Sequence, residues 1–347
     1  MKFGQGKLSR RRLLGGAAAA TAALPVLHEL VPHRGLHHAL EASAAEPHMH
    51  GAGAGAAAHG GHLGVVGTVD PRVNGFDPQE ILRDFDEGRV VGGVRQWDLL
   101  AEEKEIEVAP GVRYAAWAYN GRVPGPTLRA REGERLRINF TNGSKHPHTI
   151  HFHGIHTARR DGVPGVGAGD IQPGQSFAYE FDASPFGLHL YHCHTMPLAE
   201  HIAKGLYGAF IIDPKDGRPR ADELVMVMNG FDTNFDRSNE VYAVNTVAFE
   251  YMHRPVRVKR GELVRIYLVN ALEFDLLNSF HVHANFFDYY PTGTKLEPRD
   301  FTDTVIQGQG ERGILELRFP YTGKYMFHAH VSEFAELGWM GFFEVTD

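Results

Sequence analysis

From about Val91 onward, apolar and polar residues alternate in short runs separated by Gly, Pro and Asn turns. Successive side chains of a strand point to opposite faces, so this two-residue period, repeated many times, predicts an all-β sandwich architecture. The run Gly133-Glu134-Arg135-Leu136-Arg137-Ile138-Asn139-Phe140-Thr141-Asn142 reads as a turn followed by an alternating strand. Helical periodicity is weak except in Pro78-Gln79-Glu80-Ile81-Leu82-Arg83-Asp84-Phe85, where a short helix is expected.

The pattern repeats. Gly261-Glu262-Leu263-Val264-Arg265-Ile266-Tyr267-Leu268-Val269-Asn270 echoes the run at Gly133. His151-Phe152-His153 is matched by His281-Val282-His283, and His192-Cys193-His194 by His328-Ala329-His330. Gly174 lies 18 residues before His192, and Gly310 lies 18 before His328. Four agreements in one order predict two copies of one domain, at 90–214 and 218–347, joined by Asp213-Pro214-Lys215-Asp216-Gly217-Arg218-Pro219.

Ahead of these domains, Ser9-Arg10-Arg11-Arg12-Leu13-Leu14 and the apolar, alanine-rich run from Gly15 to Leu30 resemble a twin-arginine export signal. Ala42-Ser43-Ala44 offers a small-residue cleavage site, so 1–45 reads as a signal peptide and the mature chain as periplasmic or extracellular, without a membrane span. An uncleaved anchor is the competing reading. The segment 46–89 is an extension whose first part, rich in Gly, Ala and His, includes His48, His50, His59 and His62. It reads either as a solvated linker or as a copper-collecting tail.

Composition sharpens the functional reading. A 347-residue chain that is 43% hydrophobic is long enough for two substantial cores. A formal net charge of −7 leaves no basic footprint for nucleic acid. The informative bias is histidine, with 22 residues, because imidazole is the commonest metal-binding side chain. There is one cysteine, Cys193, so an intrachain disulfide is excluded. A thiolate beside imidazoles is a soft donor set suited to copper in a His2Cys site, whereas an inert buried cysteine would leave its flanking histidines unexplained. On a strand, both histidines of a His-x-His pair face the same way and form a prepared two-point edge. Four such pairs supply eight imidazoles.

These residues carry a resemblance. The four His-x-His pairs, together with Asn120-Gly121-Arg122-Val123-Pro124-Gly125-Pro126, resemble the two-domain multicopper oxidases, a bacterial laccase-like family of tandem cupredoxin-like Greek-key β-sandwiches. The resemblance implies four coppers per chain. His151 and His281 would hold a type 2 copper, and His153, His192, His194, His283, His328 and His330 the type 3 pair. Cys193, His201 and His148 would hold a type 1 copper, His148 standing three residues before the first pair as the family's H-x-x-H-x-H motif requires. In the second repeat the corresponding residues are Asn278, Ala329 and Leu337, so no type 1 site is expected there. Leu206, five residues past His201, occupies the axial position, with Met196 as the competing axial residue. Loss of a weak axial donor raises the reduction potential.

The activity implied is one-electron oxidation of a small donor coupled to reduction of O2 to water. Asp161, Glu333 and Glu336 are the carboxylates expected to supply protons. With only 8 methionines and no methionine-rich insertion, phenols and aromatic amines are favoured over Cu(I), while Mn(II), Fe(II) and bilirubin stay open. Each domain holds four cluster imidazoles, so the cluster must form where a first domain faces a second, and the resemblance implies that three copies close into a ring, a homotrimer with clusters between subunits. The alternative is a copper nitrite reductase, which lacks the second histidine after its cysteine.

Overall fold

The computed structural model describes residues 67–347; the expected signal and the whole His-rich tract, with His48, His50, His59 and His62, lie outside the described residues. Each predicted repeat forms two β-sheets. In the first, Phe85–Asp86, Thr127–Arg131, Tyr207–Asp213, Gly187–His192 and His151–Phe152 make one sheet in that order. The facing sheet runs Arg89–Val91, Val94–Ala109, Arg135–Asn142 and Ser176–Asp182, with Val112–Tyr119 also paired to Val94–Ala109. The second repeat has the sheets Val241–Val244, Asp222–Phe231, Val264–Asn270, Arg312–Leu317, Phe287–Pro291, Asp300–Thr302 and Val256–Lys259, Met340–Thr346, Gly323–His328, Leu277–Val282, Thr304–Gly308. The architecture is two cupredoxin-like sandwiches in tandem.

The repeat extends to individual hydrogen bonds. The Gly174 N–H donates to the Asn142 carbonyl at 2.7 Å, and the Gly310 N–H to the Asn270 carbonyl at 3.0 Å. Both glycines are left-handed, at φ 76° and 72°, a conformation costly for residues with a Cβ. The Cys193 N–H reaches the Leu206 carbonyl at 2.9 Å, and its counterpart Ala329 reaches Trp339 at 3.1 Å. The His194 N–H is held by the Thr149 hydroxyl at 3.0 Å, and that of His330 by the Ser279 hydroxyl at 2.8 Å.

Three apolar clusters hold the molecule together. One fills the first sandwich around Trp97, Phe140, Phe152 and Phe210, and another fills the second around Phe280, Phe327, Trp339 and Phe343. The third lies between them, where Val108, Leu188, Tyr207 and Ile211 pack against Val225, Val227, Tyr267 and Ile314. Burial at this scale, at about 25 cal/mol per Å² of apolar area, fixes the two sandwiches as one body. Polar ties reinforce it: Arg129 pairs with Glu223 at 2.6 Å, and the Leu188 N–H donates to the Thr292 carbonyl at 2.7 Å.

The helix expected over 78–85 is shorter, Pro78–Ile81, capped by the Asp77 carboxylate. Phe85 and Asp86 instead join the first sheet in parallel register with Thr127 and Leu128, so sheet pairing overrides the local helical pattern. No helix among the described residues is long and apolar enough to cross a membrane.

Candidate metal centres

Cys193 follows the fully buried strand Gly187–His192, and the chain then turns through the helix Leu198–Ala203 before returning as the neighbouring strand Tyr207–Asp213. That return places His201 over Cys193, while the loop before His151–Phe152 brings in His148. The Cys193 Sγ lies 3.2 Å from the His201 Nδ1 and 3.8 Å from the His148 Nδ1, and the two Nδ1 atoms are 3.1 Å apart. All three residues are buried. Burial pushes the imidazoles down, His148 to about 3 and His201 to about 4, so both present lone pairs at neutral pH. Burial also raises the Cys193 thiol, while the Thr149 N–H aimed at the sulfur from 3.4 Å opposes that shift. Three donor atoms converging without a shared counter-cation fit a soft metal ion that displaces the thiol proton.

Leu206 is fully buried in the same apolar cluster as Cys193, whereas Met196 is 67% exposed. In the second domain the equivalent region is apolar core, with Ala329 and Trp339 both buried. The residues matching His148, Cys193 and His201 there are Asn278, Ala329 and Leu337, none of which carries a sulfur or an imidazole.

The eight remaining histidines form two matched groups. In the first domain His151 pairs with His192 across the sheet, and the Nε2 atoms of His153 and His192 approach to 2.9 Å. In the second, His281 pairs with His328, and the Nε2 atoms of His283 and His328 approach to 3.0 Å. The Nδ1–H of His192 donates to its neighbour's carbonyl at 2.7 Å and that of His328 does so at 2.6 Å, which leaves each Nε2 as a lone pair. His151 and His281 are oriented differently. Nδ1 of His151 is 2.9 Å from the Asp161 carbonyl and 3.0 Å from its carboxylate, and Nδ1 of His281 is 2.9 Å from both the Asp303 carbonyl and the Thr304 hydroxyl. Imidazoles whose outer nitrogen is tied and whose inner nitrogen is free are preset as metal ligands. Among the described residues, no metal-ligand grouping joins a histidine of one domain to a histidine of the other.

Comparison with known proteins gives the family. Residues 101–217 match one multicopper oxidase domain family and residues 218–347 a second. A multicopper oxidase of known crystal structure is 63% identical, with a TM-score of 0.79, over 80% of this chain and 100% of that one. The chain belongs to the two-domain multicopper oxidases. Copper is the metal that family binds. This multicopper oxidase is also similar to the copper-containing nitrite reductase of Neisseria gonorrhoeae, 31% identical over 66% of this chain and 62% of that protein. The chain thus spans about 62% of the length of this curated relative. A copper nitrite reductase from Nitrosomonas europaea is 28% identical with a TM-score of 0.67, over 73% of this chain and 94% of that one.

The oxidase's expected carboxylates separate in space. Asp161 bridges His151 and His156, with its Oδ1 3.2 Å from the His156 Nε2. Glu333 and Glu336 sit exposed on the helix Ser332–Glu336, without a hydrogen bond to a histidine among the described residues. Three residues escaped sequence reasoning. Asp303 supports His281 as Asp161 supports His151, but it lies 22 residues downstream instead of 10, so the repeat does not reveal it. The Arg312 guanidinium stands 3.5 Å from the His153 Nδ1. Glu273, from the second domain, lines a cleft of about 260 Å³ with His151, His153, His192 and His194. Loss of solvent raises its carboxyl to about 7.

Proposed function

We propose that this multicopper oxidase is laccase-like, oxidising phenols or aromatic amines one electron at a time and reducing O2 to water. The observation that carries this reading is the junction at Cys193: its sulfur meets His148 and His201, while its two chain neighbours belong to the eight-histidine set. Copper, when bound, supplies one-electron redox chemistry at the Cys193 group and four-electron reduction of O2 at the eight histidines. The chain's own part is to join the two, since His192-Cys193-His194 gives an electron path of a few covalent bonds. Leu206, lacking a donor atom, favours a high potential at the cysteine site. Asp161 orients His151, and Asp161 and Glu273 are the carboxyl groups positioned to pass protons to O2.

The second-domain histidines support a shared site. His283 is exposed, and exposed Phe286, Phe301 and Ile306 lie beside this half-site in sequence and register. Exposed apolar area around an incomplete ligand set fits a second copy of this chain, in a ring of three that completes each cluster with the other domain's histidines. Export by the twin-arginine route to the periplasm or beyond completes the proposal, supported by the motif at Arg10-Arg11-Arg12.

The nitrite reductase relatives favour a second reading, with one cysteine-bound copper and one mononuclear copper. His194 and the His328/His330 pair have no role in it. Copper content separates the readings: about four ions per chain for the oxidase, two for the reductase and one for a simple electron carrier.

A further inference from the structure

The cysteine site has no exposed ligand edge. His148 is 0% and His201 3% exposed, and Cys193 is 0% exposed. What covers them is Trp117, on the strand Val112–Tyr119, whose ring centroid lies 4.7 Å from that of His201 and 5.1 Å from that of His148. The indole is itself 8% exposed and is flanked by the exposed His146 ring at 4.8 Å and the Lys204 ammonium at 5.3 Å. Its outer edge lines an open cleft of about 420 Å³ shared with His146, Glu103, Glu200 and Lys204. A donor in solution therefore meets Trp117 before it meets any ligand of the site.

We propose that Trp117 is the point of electron entry: a planar aromatic donor seats in this cleft against the indole and His146, and its electron reaches His148 and His201 through the indole. This rests on the reading of His148, Cys193 and His201 as the copper site that accepts electrons. The donor loses one electron and, if a phenol, one proton, which leaves into the water of the open cleft. The site gains that electron, and Trp117 ends unchanged. The T-shaped contacts to two ligand rings give the coupling, and aromatic packing against the indole gives the donor its seat.

The test uses the copper-loaded protein without oxygen. Rapid mixing with a methoxyphenol follows bleaching of the blue absorption, and redox titration measures the cysteine-site potential of each variant. Trp117→Leu is expected to slow bleaching about tenfold or more with the potential unchanged, and Trp117→Phe to stay within about threefold of the natural rate. Wild-type bleaching in the leucine variant, or equal slowing in both variants tracking a lowered potential, overturns the proposal. A second measurement needs no copper. The copper-free protein labelled with 5-fluorotryptophan gives one fluorine resonance for each of its 3 tryptophans, and Trp97 and Trp339 are buried. Added 4-nitrophenol is expected to shift only the resonance that Trp117→Phe removes, and failure to shift it rules out the seat. A copper-loaded protein that is colourless contradicts the oxidase reading itself, while the fluorine experiment still decides the seat.

Discussion

Cys193→Ser is expected to remove the blue colour of the copper-loaded protein and its oxidase activity together. On the proposed reading the colour comes from the Cys193 thiolate on Cu(II), and the sequence holds no other cysteine to replace it. The activity should fall because, on that reading, the same residue is both the electron acceptor's ligand and the covalent bridge to His192 and His194. Changes to residues that merely support metal ligands cost roughly 10–100-fold, so loss of the sulfur ligand itself should exceed about 100-fold. Serine in this fully buried site also leaves a hydroxyl in apolar surroundings, at a cost of about 1–3 kcal/mol. Cys193→Ala, which buries no polar group, controls for that cost. Visible absorption and oxygen uptake check the pair, and an active or blue serine variant contradicts the assignment.

The second large effect is expected from mixing two inactive proteins. His153→Ala/His194→Ala disables the first-domain half-site, and His281→Ala/His330→Ala disables the second-domain half-site. If each cluster forms between the first domain of one copy and the second domain of the next, each variant alone is dead. Random reassembly then pairs an intact first domain with an intact second domain at one interface in four, so about a quarter of the natural activity should return. Separate half-sites within one chain motivate this expectation. Oxygen uptake after unfolding and refolding the mixture measures it. No recovery, together with a monomer that turns over, would show that one chain completes its own cluster.

The sandwiches and the repeat were legible because strand alternation, turn glycines and His-x-His spacing are local signals. Gly174 and Gly310 illustrate this: equal spacing to His192 and His328 reflects the same left-handed turn and the same bond to Asn142 and Asn270. The grouping of His148, Cys193 and His201 was legible because His201 lies eight residues past Cys193 and His148 stands three residues before the first His-x-His pair, both motif spacings readable along the chain. What stayed hidden depends on partners far apart in sequence. Trp117 reaches the site from a strand of the opposite sheet, Glu273 comes from the other domain, and Asp303 reaches His281 through strand pairing with a spacing the first repeat does not share. The short helix at Pro78–Ile81 failed to extend for the same reason, since residues 85 and 86 pair with a strand some forty residues on.

In the proposed reaction, electrons taken singly from a small donor are delivered four at a time to O2. Measuring donor oxidised against O2 consumed, with peroxide assayed in the same vessel, tests it most directly. Four one-electron oxidations per O2 are expected, with water as product and no accumulating peroxide. Two oxidations per O2 with peroxide accumulating, or nitrite reduction by a protein that consumes no oxygen, would contradict it.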